Sequence, residues 1–386
     1  MSAADRRLFA TAAALALGAA VSLGLARFAY ALLLPTMRAD LGWSYFTAGA
    51  MNTVNAAGYL VGALLLPRAL QRLDARTLLL GGGYATALVL ALHGLVRADA
   101  WLYTLRALAG IGSAATFATG GLLAARLGQS PGAKPALVLG LYYGGTGLGI
   151  IASALLVPPL DWPVAWIALA LAALVSTGVM AWGTRPLAAA PSAAPVRGEG
   201  FRTRDFAFGL LGYLMFGLGY IGYMTFIVTL LREQGVDAGV VVAFYALLGA
   251  GVIASSWLWA PLLQRYRGGQ PMALLNALLA VATLLPVLSA QPVAVFASGA
   301  LFGAVFLSVV ASTTALVRHN LPATAWPNGI AAFTIVFAAG QIVGPSLVGW
   351  VADGSGGLLR ALALSAGVLA IGALLATRQQ GLAQRG

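Results

Sequence analysis

No cysteine occurs among the 386 residues, so disulfides, thiolate metal clusters and cysteine nucleophiles are excluded. Two histidines, His93 and His319, leave little for an imidazole metal centre, and neither metal nor cofactor is expected. Charge is scarce as well: charged residues make up 8% of the chain, against roughly 25% in soluble domains. Acids are the scarcer sign, with 10 Asp and Glu against 22 Lys and Arg. No Gly-x-x-x-x-Gly-Lys loop is present, which excludes ATP hydrolysis by a phosphate-binding loop. What fills the space is apolar: 60% of the residues are hydrophobic.

That apolar material is arranged in stretches of roughly 20 residues, each long enough to cross a bilayer as a helix. Twelve are expected, at 8–36, 44–67, 77–96, 101–125, 136–158, 163–183, 205–231, 239–263, 271–289, 292–317, 326–350 and 357–377. The first is too long for a signal-peptide core and lacks a small-residue cleavage site, so it is kept as a span. The stretch 184–204, rich in Pro, Ala, Gly and Arg, reads as a flexible basic linker between an N-terminal six-helix bundle (1–183) and a C-terminal one (205–386).

The net charge of +12 raises the question of nucleic acid, and its distribution answers it. Sixteen of the 22 basic residues fall on the side of the termini, among them Arg6, Arg7, Arg68, Arg72, Arg76, Arg126, Arg197 and Arg385. Only Arg38, Arg97, Arg232 and Arg360 fall on the other side. Basic residues concentrate in cytoplasmic loops, so both termini are expected in the cytoplasm, with the lipid bilayer and not nucleic acid as the partner. Two arginines remain, Arg27 and Arg106, and both lie inside spans with no Asp or Glu beside them. An ionised side chain in the membrane is costly enough to imply function, and cations without a carboxylate point to an anion as their partner.

A shift of 193 residues superimposes the halves. Span one, GLARFAYALLLPTMRADLG (24–42), then meets span seven, GLGYIGYMTFIVTLLREQG (217–235), with Gly24, Leu25, Tyr30, Thr36 and Gly42 on identical residues and Asp40 on Glu233. The same offset puts Gln71-Arg72 on Gln264-Arg265, RALAG (106–110) on GALFG (299–303), and Gly147 on Gly340. Six helices per copy preserve orientation, giving parallel repeats about an axis along the membrane normal.

On these features the chain resembles the major facilitator superfamily along nearly its full length. PTMRADLGWS (35–44) is similar to the family's exit from helix one, and RALAGIGSA (106–114) to its helix-four motif. GTGLG (145–149) and GQIVGP (340–345) resemble glycine-rich helices five and eleven, expected to face each other across the halves. RFAYALLLPTMRADLGW with NTVNAAGYLVGALL (52–65) looks most like the YbfB/YjiJ-type branch. One departure stands out. GALLLPRALQR (62–72) lacks the Asp of the family's Gly-x-x-x-Asp-Arg loop, leaving Arg68, Arg72 and Arg76 with lipid phosphates as their expected partners.

The resemblance implies an all-α fold of twelve membrane helices and a central cavity lined by helices one, four, seven and ten. It implies a monomeric secondary transporter in a bacterial inner membrane, working by alternating access and not as an enzyme. The arginines make a small organic anion the expected substrate, moved by anion exchange or with a proton carried by the substrate. The substrate-binding set comprises Arg27, Tyr30, Arg106, Tyr220, Tyr223, Asn52, Asn55, Gln341 and Phe306. Arg27 and Tyr30 are expected on one helical face, with Tyr220 and Tyr223 opposite by the repeat. Arg106 has a second reading as a packing or coupling residue, and Asn52 and Asn55 as interhelical hydrogen-bonding groups. Asp40 and Glu233 are either solvated caps or partners of Arg38 and Arg232 in an outer gate. His93 is expected at a wetted interface, and Trp43, Trp101, Trp162 and Trp350 in the aromatic belt. An aromatic cavity of Tyr30, Tyr220, Tyr223 and Phe306 keeps efflux of amphipathic drugs open as an alternative. An intramembrane hydrolase or acyltransferase is the remote one, because no mid-span His, Asp or Glu neighbours a Ser or Thr.

Overall fold

The computed structural model describes residues 3–187 and 201–382. Positions 188–200 of the expected linker, with Arg197, lie outside the described residues, as does Arg385. Among the described residues, twelve helices are long and apolar enough to cross a membrane. In the first half they are α1 (Asp5–Leu41), α2 (Tyr45–Ala69), α3 (Ala75–His93), α4 (Asp99–Leu127), α5 (Pro135–Leu156) and α6 (Trp162–Gly183). In the second they are α7 (Thr203–Glu233), α8 (Ala238–Arg265), α9 (Gln270–Leu288), α10 (Pro292–Asn320), α11 (Ala323–Ala352) and α12 (Gly357–Thr377). An even number of crossings brings both chain ends to one side of the bundle, the terminal end.

Local chemistry sets the helix boundaries. Gly42 and Gly235, equivalent in the repeat, stop α1 and α7 in the left-handed conformation (φ 67° and 77°), which costs glycine nothing. Ser44 caps α2 by accepting from the Thr47 amide at 3.0 Å. Asp74 caps α3, and hydrogen bonds from the Thr77 hydroxyl and from the Thr77 and Arg76 amides hold its carboxyl below the usual range. A depressed carboxylate stabilises above its unfolded pKa, so this cap is intact at neutral pH and weakens only as pH falls through the acidic range.

The repeat is real in three dimensions. A Cβ on Gly58 would strike Ala107 on α4, and one on Gly251 would strike Ala300 on α10, both pairs 193 residues apart. Gly110 lies against the Asn55 carbonyl as Gly303 lies against that of Leu248, again at the same offset. The glycines thus mark identical α2–α4 and α8–α10 crossings.

Across the halves, α2 packs on α11 and α5 on α8. Gly49 abuts the Pro345 carbonyl and Gly349 that of Tyr45, while Gly147 and Gly249 lie backbone to backbone. This corrects the expectation that α5 and α11 face each other. Gly145 and Gly149 of α5 instead receive α1, at Ala16, Ala20 and Gly24, and Gly340 of α11 receives α7 at Leu214 and Leu218. Glycine density marks close helix approach without naming the partner.

Three further expectations are corrected. His93 is fully buried, its ring stacked on Trp166 at 4.5 Å and its Nδ1 2.8 Å from the Val89 carbonyl. Trp43 and Trp162 are buried too, donating to Asp99 and Asp40 at 2.8 Å, whereas Trp101 and Trp350 are exposed as a belt requires. Arg76 donates to the Ala181 carbonyl at 2.7 Å and to Thr184 at 3.2 Å, so it ties α3 to the end of α6 and does not serve lipid alone.

Candidate functional site

The winding of α1 changes at its centre. Ala20–Phe28 is π-helical, all nine residues buried, and the Ala29 amide bonds back to the Gly24 carbonyl at 3.0 Å, an i to i−5 bond. Short π segments gather at functional sites, and this one carries Arg27. Arg27 lies inside this segment and Tyr30 just beyond its end, where α winding resumes, and Tyr30 takes partners of its own. Its hydroxyl donates to the Ala48 carbonyl at 2.9 Å and its ring lies 4.6 Å from the Arg106 guanidinium. The shared Arg27–Tyr30 face expected from i, i+3 spacing is therefore corrected. Tyr223 also turns off, hydrogen-bonding Ser298 at 2.6 Å and stacking on Phe302 at 4.0 Å.

Arg27 and Tyr220 do come together, through Gln341. Arg27 Nη2 donates to Gln341 Oε1 at 2.8 Å, and Gln341 Nε2 donates to the Tyr220 hydroxyl. The guanidinium lies 5.8 Å from the Tyr59 ring and 6.0 Å from that of Phe28, within cation–π range. Arg27 is 4% exposed, and its Nε–H has no partner among the described residues. An Arg donor is never optional: guanidinium has five N–H groups and no acceptor. No Asp or Glu among the described residues is buried, so the positive charge stands without a protein carboxylate.

Arg106 is satisfied. It donates to the carbonyls of Ala26 (3.0 Å) and Met51 (3.4 Å) and to Asn52 Oδ1 (3.0 Å), joining α4 to α1 and α2. Asn55 returns a bond to the Arg106 carbonyl at 3.0 Å. Asn52 passes the network across the halves by donating to Thr225 at 2.7 Å. These geometries fit the interhelical reading of Asn52 and Asn55. The Phe28 carbonyl, at the end of the π segment, accepts from Tyr245 of α8 at 2.6 Å.

An aromatic wall surrounds Tyr220. Phe216 stacks on it at 4.6 Å, Phe337 at 5.7 Å and Phe306 at 6.0 Å, and Phe306 meets Phe28 edge-on at 5.7 Å across the halves. Phe306 thus belongs to the wall, a role the repeat alone did not define. Tyr59 and Phe337 are partly exposed and Tyr143 is 41% exposed, carrying the aromatic lining toward the terminal end. Tyr59 was legible only as the residue one turn beyond Asn55. Its proximity to Arg27 depends on the α1–α2 crossing.

At the opposite end the halves are pinned. Asp353 of α11's C-terminal turn accepts from the amides of Tyr45 and Phe46 at 2.8 and 2.9 Å, capping α2 from the other half. Glu233 pairs with Arg38 at 3.7 Å and accepts from the Tyr45 hydroxyl, with the Arg38 guanidinium 3.7 Å from the Tyr45 ring centre. Thr53 donates to the Ile342 carbonyl at 2.6 Å and lies 2.8 Å from the Ser346 hydroxyl. Asp40, by contrast, stays within its own half, paired with Arg97 at 2.9 Å. Glu233 and Asp40 are equivalent in sequence and different in duty.

A family model described as "Uncharacterised MFS-type transporter YbfB" matches residues 19–377. Among solved structures, a mutant of the nucleoside transporter NupG superposes with a TM-score of 0.76 at 15% identity, covering 95% of this chain and 99% of that one. A bacterial homologue of the human lysosomal transporter Spinster, inward-facing and unoccupied, superposes with a TM-score of 0.70 at 15% identity, covering 96% and 95%. No curated protein matches the sequence.

Proposed function

We propose, since this chain belongs to the YbfB-type family of major facilitator superfamily transporters, that it carries a small organic anion across a bacterial inner membrane by alternating access. The single observation behind the anion is Arg27, buried with an unpartnered Nε–H and no buried carboxylate among the described residues. Placing Arg at a helix centre costs about 2.5–3.5 kcal/mol, a cost that a bound anion would offset in the loaded state. The bias of basic residues to the terminal end favours a cytoplasmic location for that end. The cross-half bonds at Tyr45, Glu233 and Asp353 then describe an outside-closed state. Arg does not deprotonate readily, so coupling by anion exchange or by a substrate-borne proton fits better than a built-in proton site.

A second reading has its own observation. The wall of Phe216, Tyr220, Phe306 and Phe337 suits an uncharged aromatic cargo or an amphipathic drug, and one solved neighbour is a nucleoside transporter. Thermal unfolding of the purified protein with carboxylates, phosphates, nucleosides and lipophilic cations separates the readings. Ligand stabilisation follows RT ln(1 + [L]/Kd). Stabilisation by anions that disappears in Arg27→Gln is expected. Equal stabilisation of both proteins, or stabilisation by neutral or cationic compounds only, rejects the anion.

A further inference from the structure

Gln341 occupies an odd chemical position. Its amide oxygen faces Arg27 of one half and its amide nitrogen faces Tyr220 of its own half. The assignment is forced, because Arg27 can only donate. Tyr220 therefore acts as acceptor toward Gln341, and its own proton has no acceptor among the described residues. Arg27 likewise keeps a spare donor in Nε–H. Both groups that touch Gln341 thus keep a donor it does not use, and its amide is a weaker acceptor than an anion. A carboxylate in the place of the amide would accept from both at once, from guanidinium as a charge-assisted pair and from the phenol as an ordinary hydrogen bond. The walls of that place are rings: Tyr59 under the guanidinium, and Phe337 and Phe306 flanking Tyr220.

We infer that Gln341 is a resident stand-in for the substrate's anionic group, holding Arg27 in the empty protein and displaced by an aromatic carboxylate whose ring stacks in the Tyr59–Tyr220–Phe337 wall. This rests on the anion reading given above and deepens it. Displacement has a mechanical consequence. The Arg27–Gln341 bond joins α1 to α11, so an arriving carboxylate exchanges a protein cross-link between the halves for one made through itself. Occupancy and the relation between the halves become linked at one hydrogen bond.

The test uses the full chain in lipid nanodiscs, with benzoate as probe, acetate as charge without ring, and benzyl alcohol as ring without charge. Benzoate should bind wild type more tightly than either control. Gln341→Leu removes the competitor and should lower the benzoate Kd roughly tenfold to a hundredfold, the range set by one hydrogen bond to a charged group. Gln341→Glu supplies a tethered carboxylate and should abolish benzoate binding while raising the melting temperature of the ligand-free protein. If Gln341→Leu weakens benzoate as severely as Arg27→Gln does, Gln341 is a ligand and not a stand-in, and this inference falls while the anion reading stands. If Gln341→Glu still binds benzoate at wild-type affinity, the inference also falls. Binding of acetate as tight as benzoate overturns the aromatic part. Absence of any anion binding in wild type and Gln341→Leu overturns both the inference and the reading beneath it.

Discussion

Arg106 commits its guanidinium to the Ala26 and Met51 carbonyls and to Asn52, over the face of Tyr30. Its removal would strand acceptors on two neighbouring helices in a dry interior, and each unsatisfied buried group costs about 1–3 kcal/mol. Arg106→Ala is therefore expected to lower the melting temperature of the purified protein strongly. Arg106→Lys should rescue little, since an ammonium cannot reproduce the planar fork. Arg27→Gln should leave the melting temperature nearly unchanged, because Arg27 makes only one direct side-chain hydrogen bond among the described residues. A melting temperature that falls more for Arg27→Gln than for Arg106→Ala would refute this division of labour. Both arginines were visible in the sequence, and so was the more structural character of Arg106. Gln341 was visible only as one polar residue among several, because its value lies in two partners 314 and 121 positions away. His93 was misplaced because its neighbour Arg97 suggested water, while Trp166, which covers it, is far along the chain.

At the scale of the element, the α1–α5 crossing sets where Arg27 stands. Gly24, inside the π segment, lies so close to α5 that a Cβ would come within 2.5 Å of Gly149 Cα and 2.7 Å of its carbonyl carbon. Those are backbone atoms and cannot rotate aside. Gly24→Ala is expected to cost about 1–3 kcal/mol as an overpacking defect and to weaken anion binding by moving Arg27. Gly178→Ala provides the control, since nothing lies within 4 Å of its added methyl. Gly178 sits inside α6, so the control should be neutral or stabilised by up to about 1 kcal/mol. Equal melting temperatures for the two variants would count against close packing as the reason for Gly24. The twelve helices were legible from apolar run length, and the 193-residue offset predicted equivalent crossings that the Gly58–Ala107 and Gly251–Ala300 contacts display. The π winding was not legible: no local residue pattern announces it, and the contacts that meet it, α5 at Gly24 and Tyr245 of α8 at the Phe28 carbonyl, come from far along the chain.

For the whole molecule, the exposed end opposite the termini adds its own bonds between the halves, those of Asp353 and Glu233. Asp353 is an anion at the N-terminus of α2, where the helix dipole adds about 0.3–1 kcal/mol to two charge-assisted amide bonds. Glu233 adds a partly exposed pair with Arg38, worth less than about 1 kcal/mol, and a bond from Tyr45. Asp353→Asn keeps the shape but removes the charge and one carboxylate oxygen, so one α2 amide loses its acceptor. Because each 1.4 kcal/mol shifts a two-state population about tenfold, Asp353→Asn with Glu233→Gln is expected to favour opening at this end. The absence of native cysteine makes the measurement direct. Thr53→Cys places a thiol at the α2–α11 seam, now half-buried against Ile342 and Ser346. A membrane-impermeant maleimide added to the side of Asp353 should label it slowly in the otherwise native chain and at least several-fold faster in the double variant. A thiol that labels equally in both would show that the Asp353 and Glu233 bonds are bystanders, and that closure rests on the deeper contacts between the halves, such as the glycine contacts of α2 with α11 and the Asn52–Thr225 bond.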